Sequence, residues 1–369
     1  MHSNKIRLIL AVIAVMVISA GCSITTSSSS GDGQKDASVF LSTDSGDSWR
    51  PMVSLPSTDG KTRNIADLNV NLLAMDPSDS LAIYLGSYDN GLYYTYNINN
   101  GWNYVNGLPK ATISDIKVDP KNKCILYAAV ANRLYRSKDC ARTWVETYKE
   151  DDVNVLVTSV VVDHYNSRNI YIGNSKGDIN KSINSGDNWR TIERVEEGIK
   201  RLISSPLDSR RFFVATTKNR IFSFTSNTDT DPGSSADIEK NFQISNWTDL
   251  NDVLADYNLG NTFRDIIMST DGVIYLATEK LLLRSPDNGI TWENIKLIQP
   301  ENRAEITAVA VNPKDPKDIY YVTNTTFFRS TDGGATWKTK SLPTKRAGRS
   351  LLVDFQNPNN IYLGTIKLK

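Results

Sequence analysis

His2 and His164 are the only histidines in this 369-residue chain, so hydrolytic triads and histidine-rich metal centres have almost no material to be built from. His164, alone beside a turn, reads as a surface loop residue. No glycine pattern of a phosphate-binding or dinucleotide-binding loop occurs. Three sets of residues with chemical potential remain: the cysteines Cys22, Cys124 and Cys140, a series of carboxylates in a recurring turn, and basic residues in the loops between the repeats.

The carboxylates belong to an eight-residue pattern. Ser330 to Trp337 reads S-T-D-G-G-A-T-W, Ser285 to Trp292 reads S-P-D-N-G-I-T-W, and Ser42 to Trp49 reads S-T-D-S-G-D-S-W. Ser137 to Trp144 keeps the pattern with Ala141 in place of Gly, and Ser182 to Trp189 has Asn184 in place of Asp; two worn copies end at Trp102 and Trp247. A short acidic or amide side chain can accept hydrogen bonds from backbone N–H groups just ahead, and Gly supplies the positive φ of a tight turn. Asp44, Asp139, Asn184, Asp287 and Asp332 are therefore expected to build turns rather than to bind metal. Trp49, Trp144, Trp189, Trp292 and Trp337 are expected to open the outgoing strand and cover the turn, burying about 150–250 Å² each.

A second marker, an aliphatic–aromatic pair, recurs in step at Tyr84, Tyr127, Tyr171, Phe213, Tyr275, Tyr320 and Tyr362, with most spacings between 42 and 45 residues. Such a period, with four short β-rich runs per unit, predicts an all-β, seven-bladed propeller of four-stranded antiparallel blades. In one unit, Ile306–Val311, Ile319–Thr323 and Thr326–Arg329 read as strands and Trp337 opens a fourth. The first Trp marker precedes any Tyr marker, and the last Tyr marker has no Trp after it. The last blade is thus expected to be shared, with 39–41 and the Trp49 strand lying beside 350–368. That closure leaves no free edge strand.

The recurring turn resembles the Asp-box, the repeat of sialidases, sortilin-type receptors, xyloglucanases and photosystem II assembly factors. The sialidase pattern is departed from: no Phe-Arg-Ile-Pro-like segment precedes the first copy, and no arginine lies between residues 22 and 41. Xyloglucanases pair two propellers around a cleft, and there is length here for one.

The N-terminus combines Lys5 and Arg7 with an apolar run from Leu8 to Ile18. That run is too short to span a bilayer, which needs about 20 residues, and it fits a secretory signal over residues 1–21. Ser19-Ala20-Gly21-Cys22 resembles a bacterial lipobox, implying cleavage before Cys22 and a lipid on its sulfur; ordinary signal cleavage is the alternative, because the usual Leu is here Ser19. Residues 22–37, rich in Ser, Thr, Gly and Asp, should form a disordered tether of roughly 20–25 Å, leaving 38–369 as the propeller. An exported chain lipid-anchored to the outer face of a bacterial membrane follows. Export also permits a Cys124–Cys140 disulfide, the two positions lying opposite each other across a hairpin centred near Asn132; two buried thiols are the alternative.

Without residues 1–21 the chain has 40 Lys plus Arg against 41 Asp plus Glu, a balance that argues against nucleic-acid binding. Two places depart from the period: Ser226 to Ala236 reads as a surface loop, and Ser57 to Arg63 is a smaller excess after the first recurring turn; Asp249 to Tyr257 reads as a helical turn or two capped by Asp249. Loops leading into each innermost strand gather at one mouth of a propeller channel. Here they hold Arg63, Lys110, Lys200, Arg201, Arg264, Arg303, Arg346 and Arg349, a candidate ring for an acidic partner segment or anionic ligand.

A single lipidated propeller of this size is similar to the photosystem II assembly and stability factor family, which uses a basic patch on its propeller. The resemblance implies a monomeric, non-catalytic binding or assembly platform with a protein or anionic partner and no cofactor. The competing expectation is a surface glycan-binding protein or glycoside hydrolase, which would bring two carboxylates together about 5–9.5 Å apart.

Overall fold

The computed structural model describes residues 36–227, 235–298 and 305–368. The signal, nearly all of the tether with Cys22, Arg303 and most of the Ser226 to Ala236 loop lie outside the described residues.

Seven four-stranded antiparallel sheets form the molecule. Numbered from the N-terminal side, blades 1 to 7 have the innermost strands Val70–Asp76, Ile113–Asp119, Val157–Val162, Ile199–Ser204, Phe263–Met268, Ala308–Asn312 and Ala347–Val353. Each innermost strand touches that of the blade before and after it, and blade 7 touches blade 1, so the ring is closed. Blade 6 shows the ordinary build: from Ala308–Asn312 the chain returns along Asp315–Val322, turns into Thr326–Ser330 and finishes on the outer strand Lys338–Ser341.

Blade 7 is made from both ends of the chain. Val39–Ser42 pairs with Ile361–Ile366 in the register Val39↔Gly364, Leu41↔Tyr362, and Arg50–Pro51 adds the outer strand. The seven blades and the shared closure agree with the expectation from the two marker series.

Hydrophobic burial lies between the blades. Seven clusters fill the seven interfaces; one joins Tyr320, Val322 and Phe327 of blade 6 to Phe40, Leu351 and Leu363 of blade 7. The markers Tyr84, Tyr127, Tyr171, Phe213, Tyr275 and Tyr320 are completely buried, which explains their period: each plugs one gap.

The recurring turns repeat one hydrogen-bond scheme. In blade 6 the Ser330 hydroxyl donates to Asp332 Oδ1 (2.7 Å) and accepts from Gly334 N (2.8 Å), while Thr336 N donates to Asp332 Oδ1 (2.9 Å). The same bonds occur around Asp44, Asp139, Asn184 and Asp287. These bonds hold Asp44 down to about 2, the Ser48 hydroxyl contributing most. In blade 6 the position favours glycine for two reasons. Gly334 has φ 95°, and a Cβ there would lie 2.1 Å from Ile295 Cγ2 of blade 5, so the turn docks on the preceding blade. Ala141 takes the same role in blade 2 at φ 66°.

Two local readings are corrected, the helix cap and the centre of the Cys124 hairpin, and the 57–63 excess gains a structure. The helix after blade 4 is one turn, Asn251–Leu254, with Leu250 and not Asp249 at its N-cap; Asp249 instead ends the outer strand, its carboxylate accepting from Asn251 N (2.9 Å). The 57–63 segment is spanned by a small hairpin, Ser54–Leu55 with Arg63–Asn64. The Cys124 hairpin pairs Leu126 with Ser137 and Val130 with Arg133, so its axis falls between Ala131 and Asn132. The structure links Cys124 to Cys140 at a Cα separation of 3.8 Å.

Candidate binding face at the channel mouth

All seven innermost strands begin on one face of the ring, and the recurring turns lie on the other. In six blades the innermost strand is interrupted near its start. A register shift leaves one residue unpaired: Asn71, Ser114, Thr158, Lys200, Arg264 and Arg349 in blades 1 to 5 and 7. Thr307 is the equivalent in blade 6, since its hydroxyl donates to Val322 O (3.1 Å) as that of Thr158 does to Gly173 O (3.0 Å). A bulge re-aims the side chain it carries, and all seven are at least partly exposed. The mouth is therefore ringed by one polar side chain per blade, three of them cationic and none acidic.

Arg349 donates from Nε to the Tyr88 hydroxyl (2.8 Å) and from Nη2 to Asn71 Oδ1 (3.1 Å). Arg264 is half-buried, and its Nε has no hydrogen-bond partner among the described residues. Burial first, and then the like charge of Arg349, lower its pKa, with Glu279 and Glu305 opposing. Lys200 is exposed. None of the three has a carboxylate within ion-pair distance among the described residues.

The other basic residues have different surroundings. Arg201, one residue past the bulge, points along the channel wall to Asp265 Oδ1 (3.1 Å) and Asp115 Oδ1 (3.7 Å), and Lys117 Nζ completes the network 2.8 Å from Asp115. Asp265 is the main cause raising the Arg201 pKa. Burial opposes ionisation of Asp115 most strongly, yet Lys117, Arg201 and the Val160 N–H together hold its pKa below the usual range. Arg346 is 2% exposed and clamps blade 7 to blade 1 through Thr365 Oγ1 (2.8 Å), Asn69 Oδ1 (3.2 Å) and Leu68 O. Arg63 pairs with Asp59 on the side hairpin (2.9 Å), and Lys110 lies over the Tyr104 ring. The structure thus places Lys200, Arg264 and Arg349 at equivalent positions of the mouth and assigns Arg201 and Arg346 to holding the ring. Sequence reasoning named Lys200, Arg264 and Arg349 but missed Tyr88 and the bulge that these three share; a polar residue directly after the apolar residue that opens the inner strand, as after Val70, Ile113, Val157, Ile199 and Phe263, was the available signal.

His164 is exposed. Among the described residues no group of three or more His, Cys, Asp and Glu could hold a metal ion, and no helix is long and apolar enough to cross a membrane.

No protein-family profile and no curated protein matches this chain. Solved structures of similar fold do. A GH74 enzyme from Niastella koreensis matches with a TM-score of 0.62 at 18% identity, over 81% of this chain and 51% of that one. The GH74 xyloglucanase from Xanthomonas campestris matches with 0.62 at 16%, over 81% and 51%. This chain therefore spans about half the length of those enzymes. YCF48 bound to D1 peptide matches with 0.57 at 13% identity, over 85% of this chain and 95% of that one. The likeness lies in the propeller fold, which hydrolases and YCF48 share.

Proposed function

We propose that this chain is a lipid-anchored, extracytoplasmic and non-catalytic propeller that captures an acidic segment of a protein partner at its channel mouth. The carrying observation is the trio Lys200, Arg264 and Arg349 at equivalent bulges, with no carboxylate in ion-pair contact among the described residues. Arginine is suited to bind carboxylates in paired hydrogen bonds, and an incoming carboxylate would relieve the repulsion between Arg264 and Arg349. YCF48, of similar fold and almost fully covered by the match, has been solved with a peptide, which supports a peptide ligand. For anchoring, the support is the Leu8–Ile18 run followed by Ser19-Ala20-Gly21-Cys22. A glycosidase needs two free carboxylates facing each other, whereas Asp115 and Asp265 of the channel wall are both engaged by Arg201.

The test is the triple variant Lys200→Glu, Arg264→Glu, Arg349→Glu, compared with the parent by proximity labelling in the native host. Loss of the labelled partners with an unchanged melting temperature is expected; retained labelling overturns the assignment. Fatty-acid labelling that disappears in Cys22→Ala checks the anchor.

A further inference from the structure

Arg346 carries a charge that is 2% exposed and has no carboxylate within ion-pair distance among the described residues. Its Nε and Nη2 donate to neutral groups only: Thr365 Oγ1 (2.8 Å), Asn69 Oδ1 (3.2 Å) and Leu68 O. Nη1 is buried and has no hydrogen-bond partner among the described residues. Burial is the main cause lowering the pKa of this arginine, and Asp36 and Asp67 oppose it from a distance. Both acids are exposed and already engaged. Asp36 Oδ1 accepts from the Thr344 hydroxyl (2.8 Å) and Lys345 N (3.1 Å), and Asp67 pairs with Lys367 Nζ (2.8 Å). A guanidinium does not shed its proton inside a protein, and a buried charge is costly unless it is paired.

A second buried donor stands beside it. One step beyond the pairing Val39↔Gly364, Ser38 lies opposite Thr365, whose N donates to Ser38 O (2.8 Å). Opposed residues of a sheet send their side chains to the same face, so the Ser38 side chain leaves the sheet on the side where Thr365 Oγ1 meets Arg346 Nε. The Ser38 hydroxyl is completely buried and is likewise without a partner among the described residues. The Thr365 hydroxyl is taken, since it donates to Ala37 O (2.7 Å). Across the sheet Thr365 faces Gly348, which adds no side chain to this row.

We propose that Arg346 Nη1 and the Ser38 hydroxyl hold a small monovalent inorganic anion of the halide class, chloride being the common one, and that closure of the ring is coupled to its binding. The set of donors selects the ligand. An oxyanion such as sulfate or phosphate brings several oxygens, each of which needs a partner when buried, whereas a halide is satisfied by the few N–H and O–H groups present. Ala37, Ser38 and Thr365 are at most 1% exposed, which excludes a peptide carboxylate. A water molecule would serve the hydrogen bonds and leave the charge unmatched. The ion would join the loop into the innermost strand of blade 7 to the strand that enters from the N-terminal side. Through Thr365 and Asn69 the same arginine holds the C-terminal strand and the loop into blade 1. The site lies where the two ends of the chain meet, and it does not depend on what the mouth binds.

The experiment measures urea unfolding of the full-length protein as chloride replaces gluconate at constant ionic strength, which keeps general screening fixed. Once chloride exceeds its dissociation constant, each tenfold rise should raise the folding equilibrium constant about tenfold, as for one ion bound by the folded state alone. Arg346→Met should abolish this dependence. Ser38→Ala should move its onset to chloride concentrations at least about tenfold higher, the worth of one hydrogen bond to a charged group, and it serves as the readout where Arg346→Met does not fold. Crystals of the parent grown in sodium bromide should show an anomalous peak at hydrogen-bond distance from Nη1. Stability that ignores chloride, with water or a carboxylate of the chain at Nη1, overturns the proposal. Chloride dependence that survives in Arg346→Met, or is unchanged in Ser38→Ala, places the ion elsewhere and also overturns it. A bromide peak without any chloride dependence would mean an adventitious ion only, and the coupling to closure would be refuted.

Discussion

Arg201 Nε lies 3.1 Å from Asp265 Oδ1 while its Nη1 lies 3.7 Å from Asp115 Oδ1, so one guanidinium joins blades 5 and 2 from blade 4. Asp115 in turn accepts from Val160 N of blade 3 (2.9 Å). Four consecutive blades are thus tied through one arginine and the carboxylates it holds. This is where a basic residue expected at a ligand surface serves the scaffold instead.

Replacing Arg201 with Met should destabilise the ring by about 2 kcal/mol, below the range for a fully buried pair because Arg201 is 27% exposed. The acid limb should move as well. Asp115 has a folded pKa below its unfolded value, so its contribution is present above about pH 3.9 and is lost as pH falls through the folded value. Without Arg201 the buried carboxyl protonates more easily, and the loss should begin at higher pH. Urea midpoints across the acid range check this; a variant whose acid limb coincides with that of the parent contradicts it.

A methyl group at Gly334 has nowhere to go. Its φ of 95° disfavours a side chain, and its Cβ would stand 2.1 Å from Ile295 Cγ2. Gly334→Ala should cost about 2–3 kcal/mol. In an Ile295→Ala background the same change should cost clearly less, because the clash is gone and only the backbone strain remains. Additive effects in this double-mutant cycle would show that the turn does not dock on the preceding blade.

The ring was legible because its architecture is written into local chemistry. Each Trp follows a turn and each buried aromatic fills a gap between blades, so two periodic series appear in one dimension. Even the closure could be read, since Trp49 lacks a partner before it and Tyr362 lacks one after it. The mouth was less legible. A bulge breaks the two-residue alternation of a strand, so the neighbours Lys200 and Arg201 take opposite fates for a reason that only the pairing Ile199↔Thr216, Arg201↔Ala215 reveals. A further regularity lay unread: the residue before the turn's Ser is Arg136, Lys181, Arg284 or Arg329 in four blades. Arg136 reaches Ser185 O and Asp187 Oδ1 of the next blade's turn.

The Cys124–Cys140 link stabilises the one turn that has Ala141 in place of glycine. Converting both cysteines to Ser should lower stability by about 3 kcal/mol, as expected for a loop of this length. Intact mass before and after reduction should differ by about 2 Da, the two hydrogens that a bridge removes. An unchanged mass would mean two thiols.

Lys181 is the blade 3 member of that basic series and is completely buried. Its Nζ lies within hydrogen-bond distance of Ser226 Oγ (3.1 Å), Asn227 O (2.6 Å) and Asn241 O and over the Tyr171 ring, so it joins both ends of the blade 4 excursion to blade 3; as a neutral amine it donates its two N–H to the carbonyls and accepts from the Ser226 hydroxyl. Burial lowers its pKa to about 7, with Asp163 opposing, whereas in the unfolded chain it is about 10.4. Between those values the unfolded chain holds a proton that the folded one has released, so this lysine makes stability rise with pH through that window. Lys181→Met removes the rise and takes away the lysine's hydrogen bonds to Asn227 O and Asn241 O. The variant should therefore fall further below the parent at about pH 10 than at about pH 6 in urea titrations. A gap that stays constant or narrows with rising pH would show that Lys181 remains charged inside the ring.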